Sequence, residues 1–171
     1  MEREVSSCLS CQIVRGGRPV PGGMLIRGRY WVLSHGNPCN APGYLVLCAH
    51  RHVEFIGDLQ DPELSEMGVM LGRASAAIKQ VTGAERVYSL HAAEVERHTH
   101  VHLIPRLSGM PNRASLLLKP FFFFFLGVDE STVLPLVERL HSLLASMTYT
   151  PSSRTRLVDD YEPSAMLPKR A

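Results

Sequence analysis

Arg97-His98-Thr99-His100-Val101-His102-Leu103-Ile104-Pro105 is the stretch whose reading decides the fold. Three histidines alternate with Thr99 and Val101, and an apolar pair follows. Strict alternation marks a strand, because successive side chains on extended backbone point to opposite faces. His98, His100 and His102 are therefore expected on one face, with Thr99, Val101 and Leu103 on the other. Each imidazole can act as acid, base, nucleophile or metal ligand near neutral pH. At a rise of about 3.3 Å per residue, neighbours in this row sit roughly 6.6 Å apart and its ends roughly 13 Å apart. One adjacent pair could share a metal, but all three could not without a sharp bend. The row should divide its labour.

Working outward, Arg86 to Leu90 reads as a strand that pairs antiparallel with the histidine strand through a loop at Ala92, Ala93 and Glu94. Upstream, Asp61-Pro62-Glu63 opens a helix, with Asp61 as the expected cap, Pro62 in the first turn and acidic residues at the positive end of the dipole. Leu64, Met67, Leu71, Ala74, Ile78 and Val81 mark its expected buried stripe, and Gly83 ends it. Three short apolar runs come earlier: Met24 to Ile26, Tyr30 to Leu33 and Tyr44 to Leu47. Turn residues bound each run, which predicts three strands in a meander. Beyond Pro105, Phe121 to Phe125 cannot alternate with polar residues, so both faces of such a run must be covered. Asp129 to Met147 is read as a second amphipathic helix, with Leu134, Val137, Leu140, Leu144 and Met147 on one face. Residues 151–171 are expected to form a tail.

A chain of 171 residues can form one domain with a full core. Its 45% hydrophobic and 20% charged composition is that of a globular protein. A net charge of +2 gives no argument for nucleic acid or an anionic membrane. No apolar run approaches the roughly 20 residues of a membrane span. The N-terminal Met-Glu-Arg-Glu-Val lacks a basic segment followed by an apolar core, so a cytoplasmic location is expected. There, cysteines serve as thiols or metal ligands more often than as disulfides. Cys8-Leu9-Ser10-Cys11 admits half of a zinc site, a redox pair or two unpaired thiols. The redox reading wants a strand-to-helix junction, and nothing around residues 8–11 suggests one.

The run His98-Thr99-His100-Val101-His102-Leu103-Ile104 resembles the signature of the histidine triad family, with Thr99 only semi-apolar. The resemblance extends to Pro42-Gly43-Tyr44-Leu45-Val46-Leu47-Cys48, to Arg51-His52-Val53-Glu54 with Asp58-Leu59, and to Cys8-x-x-Cys11, which is similar to the zinc half-site of many bacterial members. Together these segments span residues 8 to about 106. The resemblance implies an α+β fold with a central antiparallel sheet of about five strands and two helices. It also implies a homodimer and a cleft for a purine nucleotide of the AMP type. The implied chemistry is hydrolysis or transfer at the α-phosphate of a phosphoramidate or dinucleoside polyphosphate. By resemblance His100 is the nucleophile, through a covalent nucleotidyl-histidine, and His102 binds the phosphate. Cys8, Cys11, His52 and His98 would form a closed structural zinc site.

Within that resemblance, His35 falls near the position where an Asp or Asn often holds the ribose. Tyr30, Trp31 and Leu33 would wall the nucleoside pocket, which gives Trp31 and His35 as expected substrate contacts. Tyr44 stands where many members carry a histidine. Glu94-Val95-Glu96-Arg97 lacks the Gln-Ser/Thr that some branches place near the phosphate. His102, rather than Gln, favours the hydrolase branches. Two other functions compete: a nucleotide-binding or sensing module with little turnover, and a catalytic metal held by His98, His100 and His102, which the spacing disfavours.

Overall fold

Apolar runs separated by Gly, Pro and Asn have too little length for helices and the alternation of strands, and five of them pair into one sheet. The structure, a computed structural model, describes residues 7–36, 41–110 and 130–147. The Phe121–Phe125 run and the expected tail at 151–171 lie outside the described residues. The elements are α1 (Leu9–Val14), β1 (Met24–Arg27), β2 (Trp31–His35), β3 (Leu45–Ala49), a short 3-10 turn (Ile56–Asp58), α2 (Asp61–Thr82), β4 (Arg86–Leu90), β5 (His100–Arg106) and α3 (Glu130–Ser146). The strands form a five-stranded antiparallel sheet in the order β1-β2-β3-β5-β4. That is the α+β architecture expected, with a third, short helix at the N-terminus that the sequence reading did not anticipate.

The register separates the two faces. Leu33 pairs with Leu47, which pairs with Val101, and His35 pairs with Leu45, which pairs with Leu103. This row packs on Ala74, Ala77 and Ile78 of α2 and on Val133, Val137 and Leu140 of α3 to form the main core. Each fully buried aliphatic side chain there contributes about 1.5–3 kcal/mol. On the opposite face, Val32 pairs with Cys48 and Cys48 with His100, while Ser34 pairs with Val46 and Val46 with His102. Val14 of α1 packs on Val32 and Cys48, and Ala41, Tyr44 and Ile104 form a second small cluster with Val46, Tyr88 and Leu90.

Two helix details differ from the sequence reading. Asp61 is the first helical residue rather than the cap; Gln60 precedes the helix, and its N–H donates to the Glu63 carboxylate at 2.7 Å. Gln60 and Asp61 are adjacent polar residues, which makes that shift of one residue invisible to pattern reading. In α3, Leu134 is exposed and Val133 takes the buried position, so the stripe runs Val133, Val137, Leu140 and Leu144. Gly83 ends α2 as expected, at φ +71°, with its N–H on the Lys79 carbonyl.

Two carboxylates of α2 tie down the loops around the sheet. Glu66 accepts the N–H groups of Arg29 and Tyr30 at 2.9 and 2.6 Å, fixing the β1–β2 turn. Glu63 receives Arg51 through Nε and an Nη nitrogen at 3.2 and 2.8 Å, and the same Arg51 reaches the Asp58 carbonyl. The Arg51 guanidinium holds the Glu63 carboxyl below its ordinary range. Arg51 immediately precedes His52, so this tie places a candidate metal ligand. No helix among the described residues is long and apolar enough to cross a membrane.

Candidate metal centre and histidine site

The three histidines of the signature stretch do not share one environment. The ladder begins only at His100, and His98 lies before it. Residues 98 and 99 still hold the sheet edge, Thr99 donating to the Val53 carbonyl and accepting from Ala49 N–H. His98 is fully buried and its Nε2 donates to the Ala49 carbonyl at 2.8 Å. A carbonyl only accepts, so the proton sits on Nε2 and Nδ1 is bare. That bare nitrogen faces two sulfurs, Cys8 Sγ at 3.4 Å and Cys11 Sγ at 3.5 Å.

Cys8 caps α1 and Cys11 lies in its first turn, with Cys11 N–H donating to Cys8 Sγ at 3.3 Å. Three-residue spacing on a helix start is what brings both thiols to one side. His52 completes the corner, its Nδ1 3.3 Å from Cys11 Sγ and its ring edge-on to His98 at 5.2 Å. The donor atoms of Cys8, Cys11, His52 and His98 all lie within 4.8 Å of one another. Zinc bonds of about 2.3 Å to sulfur and 2.0–2.1 Å to nitrogen at a tetrahedral angle put S and N about 3.5 Å apart. The observed sulfur–nitrogen distances fit that geometry. The Ala49 carbonyl behind His98 is the outer support such a ligand requires. Burial, and then the hydrogen bond to Glu96, push the Cys8 thiol up to about 12, so a metal must displace its proton. His50, the other histidine of its pair, instead sits near Arg27 and Glu66.

His100 and His102 occupy the sheet face opposite the main core. His100 Nδ1 lies 2.5 Å from the His98 carbonyl, and its Nε2 lies 3.1 Å from His102 Nε2. The two rings meet edge-on at 4.7 Å. His102 Nδ1 lies 2.6 Å from the Tyr44 hydroxyl, and the Tyr44 ring stacks on it at 5.9 Å and 12°. Burial, then the neighbouring His100 and His91, push His102 down to about 4, so its ring is neutral at pH 7.

The two expected nucleoside contacts fall elsewhere. Trp31 is wholly buried on the core face, and its indole N–H donates to the Glu63 carbonyl at 2.8 Å. Strand alternation sends Trp31 and Leu33 to the side opposite His100, while Val32 and Ser34 share the histidine face. His35 is also buried, with its ring nitrogens 3.0 Å from the Gly36 and Ala41 carbonyls. Both are placed as structural side chains rather than as walls of an open cleft. An apolar strand residue with an aromatic ring looks the same from sequence whichever face it takes.

Three residues escaped the sequence reading. Glu96 accepts from Cys8 Sγ at 2.8 Å and from Ser10 N–H at 3.2 Å, bracing α1 against the segment that leads into His98. His91, one residue past the end of β4, donates through Nδ1 to the His100 carbonyl at 2.9 Å, satisfying a strand carbonyl that has run out of ladder. Tyr44 was noted only as a departure from the usual histidine. His91 and Tyr44 each flank a strand, and Glu96 lies in the connection between β4 and β5.

No family model matches this chain, and no curated protein sequence is significantly similar to it. Solved structures are similar. A zinc-bound histidine triad family protein from Mycobacterium smegmatis aligns at TM-score 0.64 and 18% identity, over 82% of this chain and 95% of that one. A Hit-like protein from Bartonella henselae aligns at 0.64 and 13% identity, over 81% and 96%. A hypothetical histidine triad nucleotide-binding protein from Sulfolobus tokodaii aligns at 0.62 and 15%, over 81% and 92%. The chain has the histidine triad fold. At these identities the likeness covers the path of the backbone, and the residue roles rest on the geometry above.

Proposed function

We propose that this histidine triad-fold protein is a nucleotide hydrolase or nucleotidyl transferase that acts at the α-phosphate of a nucleotide conjugate through His100. One observation carries the reading. The His98 carbonyl, which can only accept, holds the proton of His100 on Nδ1 and so leaves Nε2 unprotonated, facing His102 Nε2 at 3.1 Å. A neutral imidazole with a fixed bare nitrogen is a nucleophile ready for phosphorus.

In the first step a new bond forms from His100 Nε2 to phosphorus. The bond from phosphorus to the leaving amine or phosphate breaks, and the leaving group takes the electron pair and a proton from solvent. In the second step water attacks the nucleotidyl-histidine, the N–P bond breaks with its electron pair returning to His100 Nε2, and the proton of the attacking water passes to solvent. In this reading His102, whose Nε2 lies 3.1 Å from the attacking nitrogen, donates to the phosphoryl oxygens, and a fixed donor there stabilises developing charge. Its ring being neutral, it contributes a hydrogen bond rather than a full positive charge.

The zinc belongs to the other end of the strand. Cys8, Cys11, His52 and His98 supply four protein donors, and a metal bound there ties α1 to the sheet with no open position for water. The nucleotide-binding description of the Sulfolobus tokodaii protein and the zinc-bound state of the Mycobacterium smegmatis one support both halves of this reading. The test is a hydrolysis panel of adenosine phosphoramidate, diadenosine tri- and tetraphosphate and acyl adenylates. Wild-type protein should turn over at least one of them and His100→Ala none. Undiminished turnover by the variant refutes the mechanism.

A further inference from the structure

Tyr44 has a use that the nucleophile by itself does not explain. The His98 carbonyl places the proton of His100 on Nδ1, so His100 Nε2 is an acceptor. The 3.1 Å contact between His100 Nε2 and His102 Nε2 is then a hydrogen bond only if His102 carries its proton on Nε2. That leaves His102 Nδ1 bare, and the Tyr44 hydroxyl at 2.6 Å must be its donor. The direction of every bond in the row follows: Tyr44 O–H to His102, His102 Nε2–H toward His100, and His100 Nδ1–H to His98.

We infer that Tyr44 is a positioning residue of the reaction, whose hydroxyl locks His102 in the tautomer that carries its proton on Nε2, beside the attacking nitrogen, where a phosphoryl group bound to His100 would meet it. The inference rests on the proposed function above. Its second support is how firmly Tyr44 is held. The ring is buried, stacks on His102 and meets His35 edge-on at 6.3 Å and 85°. Gly36 N–H donates to the Tyr44 carbonyl at 3.0 Å, and a Cβ at Gly36 would overlap the Tyr44 ring. Position 36 is therefore a glycine for space, because the tyrosine lies flat against its backbone. His35 and Gly36 thus serve the site from behind, by packing the ring that orients His102. Burial, with the neighbouring His100 and His91, keeps His102 neutral, so the choice between its two neutral tautomers remains open for Tyr44 to make.

The experiment is nitrogen-15 NMR of the histidine rings in wild-type protein and Tyr44→Phe, together with kinetics on adenosine phosphoramidate. His102 is assigned by its loss in His102→Asn. Wild-type His102 should show a protonated Nε2 and a bare Nδ1. In Tyr44→Phe part of the signal should move to the opposite tautomer, and kcat should fall about tenfold, the rate equivalent of one hydrogen bond. KM should change less than about twofold, since substrate contacts are kept. A proton on Nδ1 in the wild-type protein overturns the inference without any variant. So does a Tyr44→Phe protein that keeps either its tautomer or its kcat. Turnover surviving in His100→Ala would instead remove the proposed function and leave the tautomer assignment standing.

Discussion

His98 and His100 stand two residues apart, carry the same ring and do opposite work. His98 gives its proton to the Ala49 carbonyl through Nε2 and turns a bare Nδ1 toward two sulfurs. His100 gives its proton to the His98 carbonyl through Nδ1 and turns Nε2 toward His102. In each case a backbone carbonyl selects which nitrogen is free, and the neighbourhood of that nitrogen sets the job. The backbone accounts for the split. His98 precedes the ladder and faces α1, while His100 opens the ladder and faces the sheet surface. One residue touches both ends, since the imidazole of His98 faces the two cysteines while its carbonyl holds the ring of His100.

The sharpest way to break the comparison is to remove one side and measure the other. His100→Ala should lose turnover by on the order of a thousandfold or more, as expected for a lost covalent nucleophile, while keeping one zinc per chain by metal analysis. Zinc loss in that variant would mean the two ends are not separate. Cys8→Ser and Cys11→Ser should do the reverse. They should abolish bound zinc and cost several kcal/mol in chemical denaturation, because metal binding free energy is folding free energy. Protein that keeps full zinc in both variants would remove the corner from the account.

A smaller effect separates the rings by pH. His102 titrates at about 4 in the folded chain and near 6.5 when unfolded. Between those values the unfolded chain binds more protons, so stability should be intact above pH 6.5 and decline as pH falls toward 4. With zinc in excess throughout, His102→Asn should show a flatter decline; identical slopes would count against a depressed His102. The smallest expected effect is at Trp31. Trp31→Phe should lower stability by about 1 kcal/mol, from the lost bond to the Glu63 carbonyl, with KM for any nucleotide moved less than about twofold. A large rise in KM would return Trp31 to the substrate side and overturn the face assignment.

Much of the molecule was legible from pattern. The alternation in residues 100–104 and the Pro62 and Gly83 that bracket α2 agree with the structure, because each depends on a local period or a nearby neighbour. The errors at Asp61 and Leu134 are shifts of one residue, within what a 3.6-residue period resolves. The burial of Trp31 and His35 was not legible for another reason: alternation says that neighbours face opposite ways, and not which way either one faces.

Local pattern was enough for the strand, the helix and the identity of the candidate donors: three imidazoles at two-residue spacing and a Cys-x-x-Cys. Only tertiary structure decided their partners. Cys11 meets His52 across 41 residues, Tyr44 meets His102 across 58 and Cys8 meets Glu96 across 88. Such meetings are made by sheet register and by the docking of α1, which depend on burying one whole face at once. That is why a run of equivalent histidines in the chain meets three different sets of partners in the fold.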